Sequence, residues 1–308
     1  MNAIADPAAP SAPPATAALR RARPSFAGSA GAEALKLARM GMVWAMLGLA
    51  LLFFGVIALA LPTAGNLKDQ LEQHPAAFVF NLYDVYLTMF DTGAGIFLLV
   101  VAARLVGMEY SGGTIRVLLA RGAGRLRLLL AKLTVLAALG TALLAGFLLL
   151  VTAATYATVM SWEGSLGVVG SLPGTVWTDL GLNVLIAFAS MAVCVLLGTA
   201  AAVLGRSLAF GIGAALALFP LDNFGTFLLG LLNALTKQHF WLDVSTFLLG
   251  PNLNALPVLM QRDHAAHAAF ATPLIEVDTT HAWLVVAAWA VAFLVVSMGL
   301  TWRRDVLQ

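Results

Sequence analysis

Asp84, Thr88, Asp91 and Gly95 fall at i, i+4, i+7 and i+11, which places two carboxylates and a hydroxyl on one helical stripe. The run around them is apolar. A carboxylate there can bind a cation or exchange a proton inside a membrane, at an insertion cost of roughly 2.5–3.5 kcal/mol at the centre and less near the interface. The plainer reading is an acid solvated at a helix end or hydrogen-bonded between helices, and it is preferred. Asp222 and Asn223 follow Pro220 inside a second apolar run. Proline frees backbone groups that polar side chains or water must satisfy. The pair suits a polar gate or a structural cap, and the cap is preferred. His264 and His267 stand at i, i+3 beside Asp263. They are too few for a convincing metal site, and no HExxH run accompanies them. A solvated external helix is the better reading. Cys194 is the only cysteine, which removes an intrachain disulfide and a thiolate zinc site and leaves a small apolar packing group. No metal and no catalytic residue is expected.

A different chemistry is concentrated at 107–133, GMEYSGGTIRVLLARGAGRLRLLLAKL. Five basic residues and one acid stand there, in a chain with 10% charged residues. Gly112 and Gly113 release the chain from the preceding helix. Thr114–Arg121 then suit a helix of about two turns, with Ile115, Leu118 and Leu119 on one face and Arg116 and Arg121 off it. Gly122 and Gly124 end it, and the next helix begins around Arg125–Lys132. So short a helix is unstable alone in water and needs a surface. Anionic lipid headgroups and a cytoplasmic partner protein both fit, and the residues do not choose between them.

The elements that must hold these residues are membrane spans. The chain has 308 residues, 61% of them hydrophobic, too many for the surface of a soluble domain. Net charge is +2, which gives nucleic-acid binding little support. A span takes about 20 apolar residues. Six are expected, near 41–61, 86–106, 133–159, 183–204, 208–232 and 282–301, with Pro220 kinking the fifth. Residues 1–31, rich in Ala, Pro and Ser, read as a disordered cytoplasmic tail. Residues 32–40 read as an amphipathic helix on the membrane surface. Fourteen of the 17 basic residues fall in the N-terminal segment, between spans two and three, between four and five, and after six. Lys68, Lys237 and Arg262 fall on the other side, so both termini should be cytoplasmic. Trp283 and Trp302 bracket the last span, as an interfacial aromatic belt would. Pieces within 240–260 are apolar yet too short to cross, and suit re-entrant or interfacial helices after span five. Asp179 reads as interfacial. Gly140, Ala145 and their small neighbours read as helix-packing positions. The fold class is therefore all-α, a polytopic membrane protein.

The run Glu109–Tyr110…Gly113–Thr114–Ile115–Arg116–Val117–Leu118–Leu119–Ala120–Arg121…Arg125…Leu128–Leu129…Lys132 resembles the permease subunits of type-2 ABC exporters. The ending Trp302–Arg303–Arg304–Asp305 is similar to theirs, and the resemblance covers roughly residues 33–308. Gly122–Ala123–Gly124 stands where many relatives carry a proline before the turn arginine, and the N-terminal tail is longer than usual. The resemblance implies a permease domain over 32–308 whose loop at 107–132 docks in a groove of a separate ATP-binding subunit. Ile115, Leu118 and Leu119 would supply contact area there, and Glu109, Arg116 and Arg121 polar contacts and register, with Gly113, Thr114, Arg125 and Lys132 completing the motif. No GxxxxGK[ST] run is present, so ATP and magnesium belong to that partner. A second permease copy or a sister permease is implied, as is a bacterial inner membrane, which the Ala-, Leu- and Gly-heavy composition suits. Candidate pathway residues are Asp84, Thr88, Asp91, Asp222 and Asn223. Two other classes are an intramembrane enzyme, which lacks a convergent catalytic set, and a membrane anchor or signalling subunit that recruits a partner without transport.

Overall fold

The computed structural model describes residues 25–60, 65–113, 124–260 and 270–303, and among them there is no strand. Ser25 caps α1 (Phe26–Ala38): its Oγ accepts from Gly28 N at 3.0 Å. The helix therefore begins within the segment expected as tail. α2 (Gly41–Ala60) is apolar on every side, and Trp44, Leu49 and Leu52 are more than half exposed, as side chains facing lipid would be. A short α3 (Gly65–Gln73) leads to α4 (Pro75–Ser111), whose first residue is a proline, which needs no N–H in the first turn. α5 (Arg125–Glu163) ends at Gly164 with φ 67, a left-handed stop that suits glycine. A single turn, α6 (Gly167–Gly170), precedes α7 (Gly174–Gly205).

α8 (Leu208–Thr236) is the bent span. Its halves, Leu208–Asp222 and Phe224–Thr236, meet at 47°. Pro220 accounts for the bend, because its ring displaces the carbonyl one turn back and it offers no N–H. α9 (Phe240–Ser245) and α10 (Leu249–Met260) follow as helices too short to cross, and α11 (Thr279–Arg303) closes the described chain. Among the described residues, five helices are long and apolar enough to span a membrane, and the bent α8 makes a sixth.

Several spans outrun the limits that hydropathy sets. α4 starts at Pro75 instead of near 86, α5 at Arg125 instead of 133, and α7 at Gly174 instead of 183. The polar residues at the expected ends of these spans (Asp84, Lys132, Asp179, Asn183) are buried, and Lys132, Asp84 and Asn183 are held by residues of other helices. Asp179 is buried in the second turn of α7. At 37 residues α4 is about 55 Å long, well beyond the hydrocarbon thickness. Glu109, Arg125 and Lys132 consequently belong to helices, and only residues 112–124 connect α4 to α5.

α4 and α7 are the central pair, and α8 packs on both. Their backbones touch where glycine permits. A Cβ on Gly198 would lie 2.3 Å from Leu99 O, one on Gly107 2.8 Å from Leu208 Cα, and one on Gly211 2.9 Å from Ala202 Cα. Small residues that let backbones approach replace the hydrophobic drive that lipid removes. Gly140 likewise packs on Leu98, at 3.3 Å, but Ala145 is exposed. The half of the core nearer the α4–α5 connection gathers Leu37, Val43, Leu98, Leu105, Leu136 and Met191. The other half gathers Leu71, Phe80, Tyr83, Val151, Val159 and Val176.

Candidate functional site

The base of the 112–124 connection is a four-residue ion cluster. Glu33 comes from α1, Glu109 from the last turn of α4, and Lys132 from the third turn of α5. The Lys132 ammonium donates to Glu33 Oε2 at 2.7 Å, to Glu109 Oε1 at 2.8 Å and to Leu105 O at 3.1 Å. An ammonium has three protons, and all three are used. Lys36, one turn along α1 from Glu33, donates to Glu33 Oε1 at 2.6 Å and to Glu109 Oε1 at 2.7 Å. Two acids and two bases balance, so the cluster is buried without a net charge. The Lys132 and Glu33 side chains are 3% and 2% exposed, and that of Lys36 is 40% exposed. Burial pulls the Lys36 pKa down, but hydrogen bonds and charge from Glu109 and Glu33 outweigh it and leave it above the ordinary lysine value of 10.5.

This geometry changes the expected roles of two residues. Glu109 and Lys132 sit inside the helix junction, with their charges facing each other instead of a partner surface. α1 does not lie free on the membrane: Glu33 and Leu37 face inward, and the helix packs against α5. Arg125 remains at the start of α5, where its Nη1 donates to Trp302 O at 3.4 Å and so ties the loop's far end to the end of α11. Gly113 is in the left-handed region, φ 64, and makes the turn out of α4. Thr114, Ile115, Arg116, Leu118, Leu119 and Arg121 lie outside the described residues.

A second feature runs along α4 and α7. Asn183 Nδ2 donates to Asp84 Oδ1 at 3.0 Å, with both residues 6% exposed. Ser190 is the hydrogen-bonding neighbour of Asp91. A Cβ on Gly95 would lie 3.2 Å from Cys194 Sγ, and Gly198 meets Leu99. Each pair is separated by the same 99 residues, so α4 and α7 run side by side in one direction and in one register. The stripe Asp84, Asp91, Gly95 on α4 is matched by Asn183, Ser190, Cys194 on α7. Thr88 is half-buried beside this stripe, and its carbonyl accepts from Thr92 Oγ1 at 3.1 Å.

The third feature lies around the α8 bend and the short helices that follow it. The Asp222 carboxylate accepts from Gly250 N in the first turn of α10, so an acid just past the α8 proline caps another helix. Asn252 Nδ2 holds Thr246 O and Leu248 O, each at 2.7 Å, and His281 Nε2 lies 2.9 Å from Thr246 O. Trp289 Nε1 on α11 donates to Phe247 O at 3.0 Å. α9 and α10 are therefore braced to both α8 and α11. The position of Asn223 in α8 is at the bend. His264 and His267 lie outside the described residues, and among those described no group of three or more His, Cys, Asp or Glu could hold a metal.

Sequence reasoning missed Glu33, Lys36, Asn183 and Ser190 as partners. The signal for the last two was available: 183, 190 and 194 repeat the spacing of 84, 91 and 95. No comparable signal marks Glu33, since its partners lie on other helices.

Residues 31–221, well over half of the chain, match the family described as ABC-2 family transporter protein. No curated protein matches the chain.

Proposed function

The chain belongs to the ABC-2 transporter family, and on that premise we propose that it is the membrane subunit of an ATP-driven exporter, coupled through its 112–124 connection to a separate ATP-binding subunit. It is a multi-pass membrane permease, and its family implies association with such a subunit. In this reading the partner binds ATP and magnesium, grips Ile115, Leu118 and Leu119, and contacts Arg116 and Arg121. Movement of the loop reaches the spans through the ends of α4 and α5.

The observation that carries this reading is the Glu33–Lys36–Glu109–Lys132 cluster. It joins α1, α4 and α5 at the point where a docked loop would push. Paired charges of low exposure resist separation, so the three helix ends move as a unit. The fixed register of α4 on α7 then carries the displacement outward. The apolar outer faces of α2, α5 and α11 leave room for lipid and for a second permease, either another copy or a sister chain. A bacterial inner membrane suits the composition.

The test is co-expression with P-loop ATPases encoded nearby, followed by pull-down and ATPase assay of the reconstituted complex. Wild type should retain an ATPase. Arg116→Ala/Leu119→Ala/Arg121→Ala should lose it while still inserting in the membrane. Lys132→Met should retain the ATPase but lose most of the hydrolysis stimulated by transported compounds. Loss of the ATPase in neither loop nor cluster variant would overturn the docking assignment. A retained ATPase that no compound stimulates would favour an anchor.

A further inference from the structure

Asp91 is the one carboxylate of the inner α4 stripe whose charge the protein leaves unanswered. Its Oδ1 is buried and has no hydrogen-bond partner. Asp84 is engaged by Asn183, Asp222 by Gly250, Glu109 by two lysines, and Asp179 by a partner of its own, while Glu163 Oε1, at the last residue of α5, is likewise buried without a hydrogen-bond partner. A neighbouring hydroxyl, Ser190, is the polar help Asp91 has, and Cys194 lies on its other side.

Among the described residues no lysine or arginine is paired with it. α2, α7 and α8 contain no lysine or arginine. The bases of α5 and α11 stand in the first three turns of one and the last turn of the other, at the cytoplasmic side. On α4 itself the nearest is Arg104, thirteen residues and so about 20 Å away. An anion without a counter-charge is costly inside a membrane.

On this face of α4, Asp84, Leu87, Ala94, Gly95, Leu98, Ala102 and Leu105 are buried, while Thr88 and Asp91 are partly exposed. The α4–α7 seam is thus closed above and below this point, where Asp91 is partly exposed with its Oδ1 buried. The point is level with the α8 break: Gly107 meets Leu208, and about 24 Å further out along both helices lie Asp91 and the Pro220–Phe224 bend.

We propose that Asp91 binds the charged group of a monovalent lipophilic organic cation that reaches the α4–α7 seam at this point. The proposal rests on the transporter reading and names its substrate class. One carboxylate matches one positive charge. A divalent metal would need about six oxygen ligands, and Asp91 with Ser190 supplies far fewer. The neighbouring Leu87, Ala94 and Leu98 are apolar and buried, which disfavours a fully hydrated ion beside Asp91.

The test uses the full chain in nanodiscs of neutral phosphatidylcholine, without any ATPase, and ethidium fluorescence polarisation as the readout. Wild type should bind ethidium saturably. Asp91→Asn, which keeps shape and removes charge, should weaken binding at least tenfold, and Asp84→Asn should stay within twofold of wild type. Binding of the uncharged dye Nile red should not change in either variant. Size-exclusion profiles and melting temperatures check folding; Asp91→Asn removes an uncompensated charge and should melt no lower than wild type. Equal ethidium binding by Asp91→Asn, or no saturable binding to wild type, overturns the proposal. Because no partner takes part, this outcome is independent of the pull-down result.

Discussion

Lys132→Met is the perturbation with the sharpest consequence. The substitution keeps the apolar stem and deletes three hydrogen bonds at 2.7, 2.8 and 3.1 Å. Glu33 and Glu109, with side chains 2% and 8% exposed, are left to share Lys36. The cluster goes from neutral to one net negative charge. Breaking a buried pair from one side costs about 3–5 kcal/mol, chiefly because the remaining charge is stranded. The remedy follows from the same reasoning. Glu109→Gln/Lys132→Met leaves Glu33 with Lys36, and neutrality returns. The double variant should be more stable than Lys132→Met alone, with a coupling of about 1–3 kcal/mol between the two changes. Equilibrium unfolding in mixed micelles, followed by tryptophan fluorescence, measures all three proteins. Lys132→Met within about 0.5 kcal/mol of wild type, or a double variant that merely sums its parts, would refute the claim that the cluster is a mutually neutralised unit.

Lys36 sets a pH dependence. Its folded pKa is above the unfolded value of about 10.5, so its stabilisation is complete below 10.5 and disappears as pH rises through the folded value. Melting temperature should therefore fall in that alkaline window more steeply for wild type than for Lys36→Gln. Gly198→Ala places a methyl 2.3 Å from Leu99 O and should destabilise by about 1–3 kcal/mol; Gly93→Ala, with open space around its Cβ, should be neutral or raise stability by up to about 1 kcal/mol. Asp222→Ala uncaps α10 and should cost about 1 kcal/mol, with faster hydrogen exchange confined to 249–253. In a Cys194→Ser background, Lys237→Cys should react with a membrane-impermeant maleimide from outside the cell and Arg206→Cys should not.

Hydropathy made the spans legible, because lipid accepts long apolar helices and little else. It misplaced their ends for a specific reason. A charge lowers the apparent hydropathy of a segment whether or not another helix neutralises it. Lys132 reads as the edge of a span only until Glu33 and Glu109 are seen beside it; then the charge is interior and the helix continues back to Arg125. The same holds for Asp84, whose partner Asn183 lies 99 residues away. The loop motif was legible as a pattern. It did not mark Glu109 and Lys132 as residues that lock helices together, since their partners Glu33 and Lys36 lie far away in sequence.

The constant offset of 99 residues explains why Asp91 stands apart. A parallel pair in fixed register offers each α4 residue one opposite number on α7. Asp84 meets an amide and Leu99 a glycine, and both contacts close the seam. Asp91 meets Ser190, whose single proton cannot serve two carboxylate oxygens. Had the register served packing alone, an asparagine at either position would have closed that rung as Asn183 closes the one above. A carboxylate facing a hydroxyl instead leaves one buried oxygen with no donor, at the level where α8 is broken and Thr88 and Asp91 are partly exposed. The two irregularities coincide in depth, and a positively charged group entering beside the bend would satisfy the oxygen that the fold leaves bare.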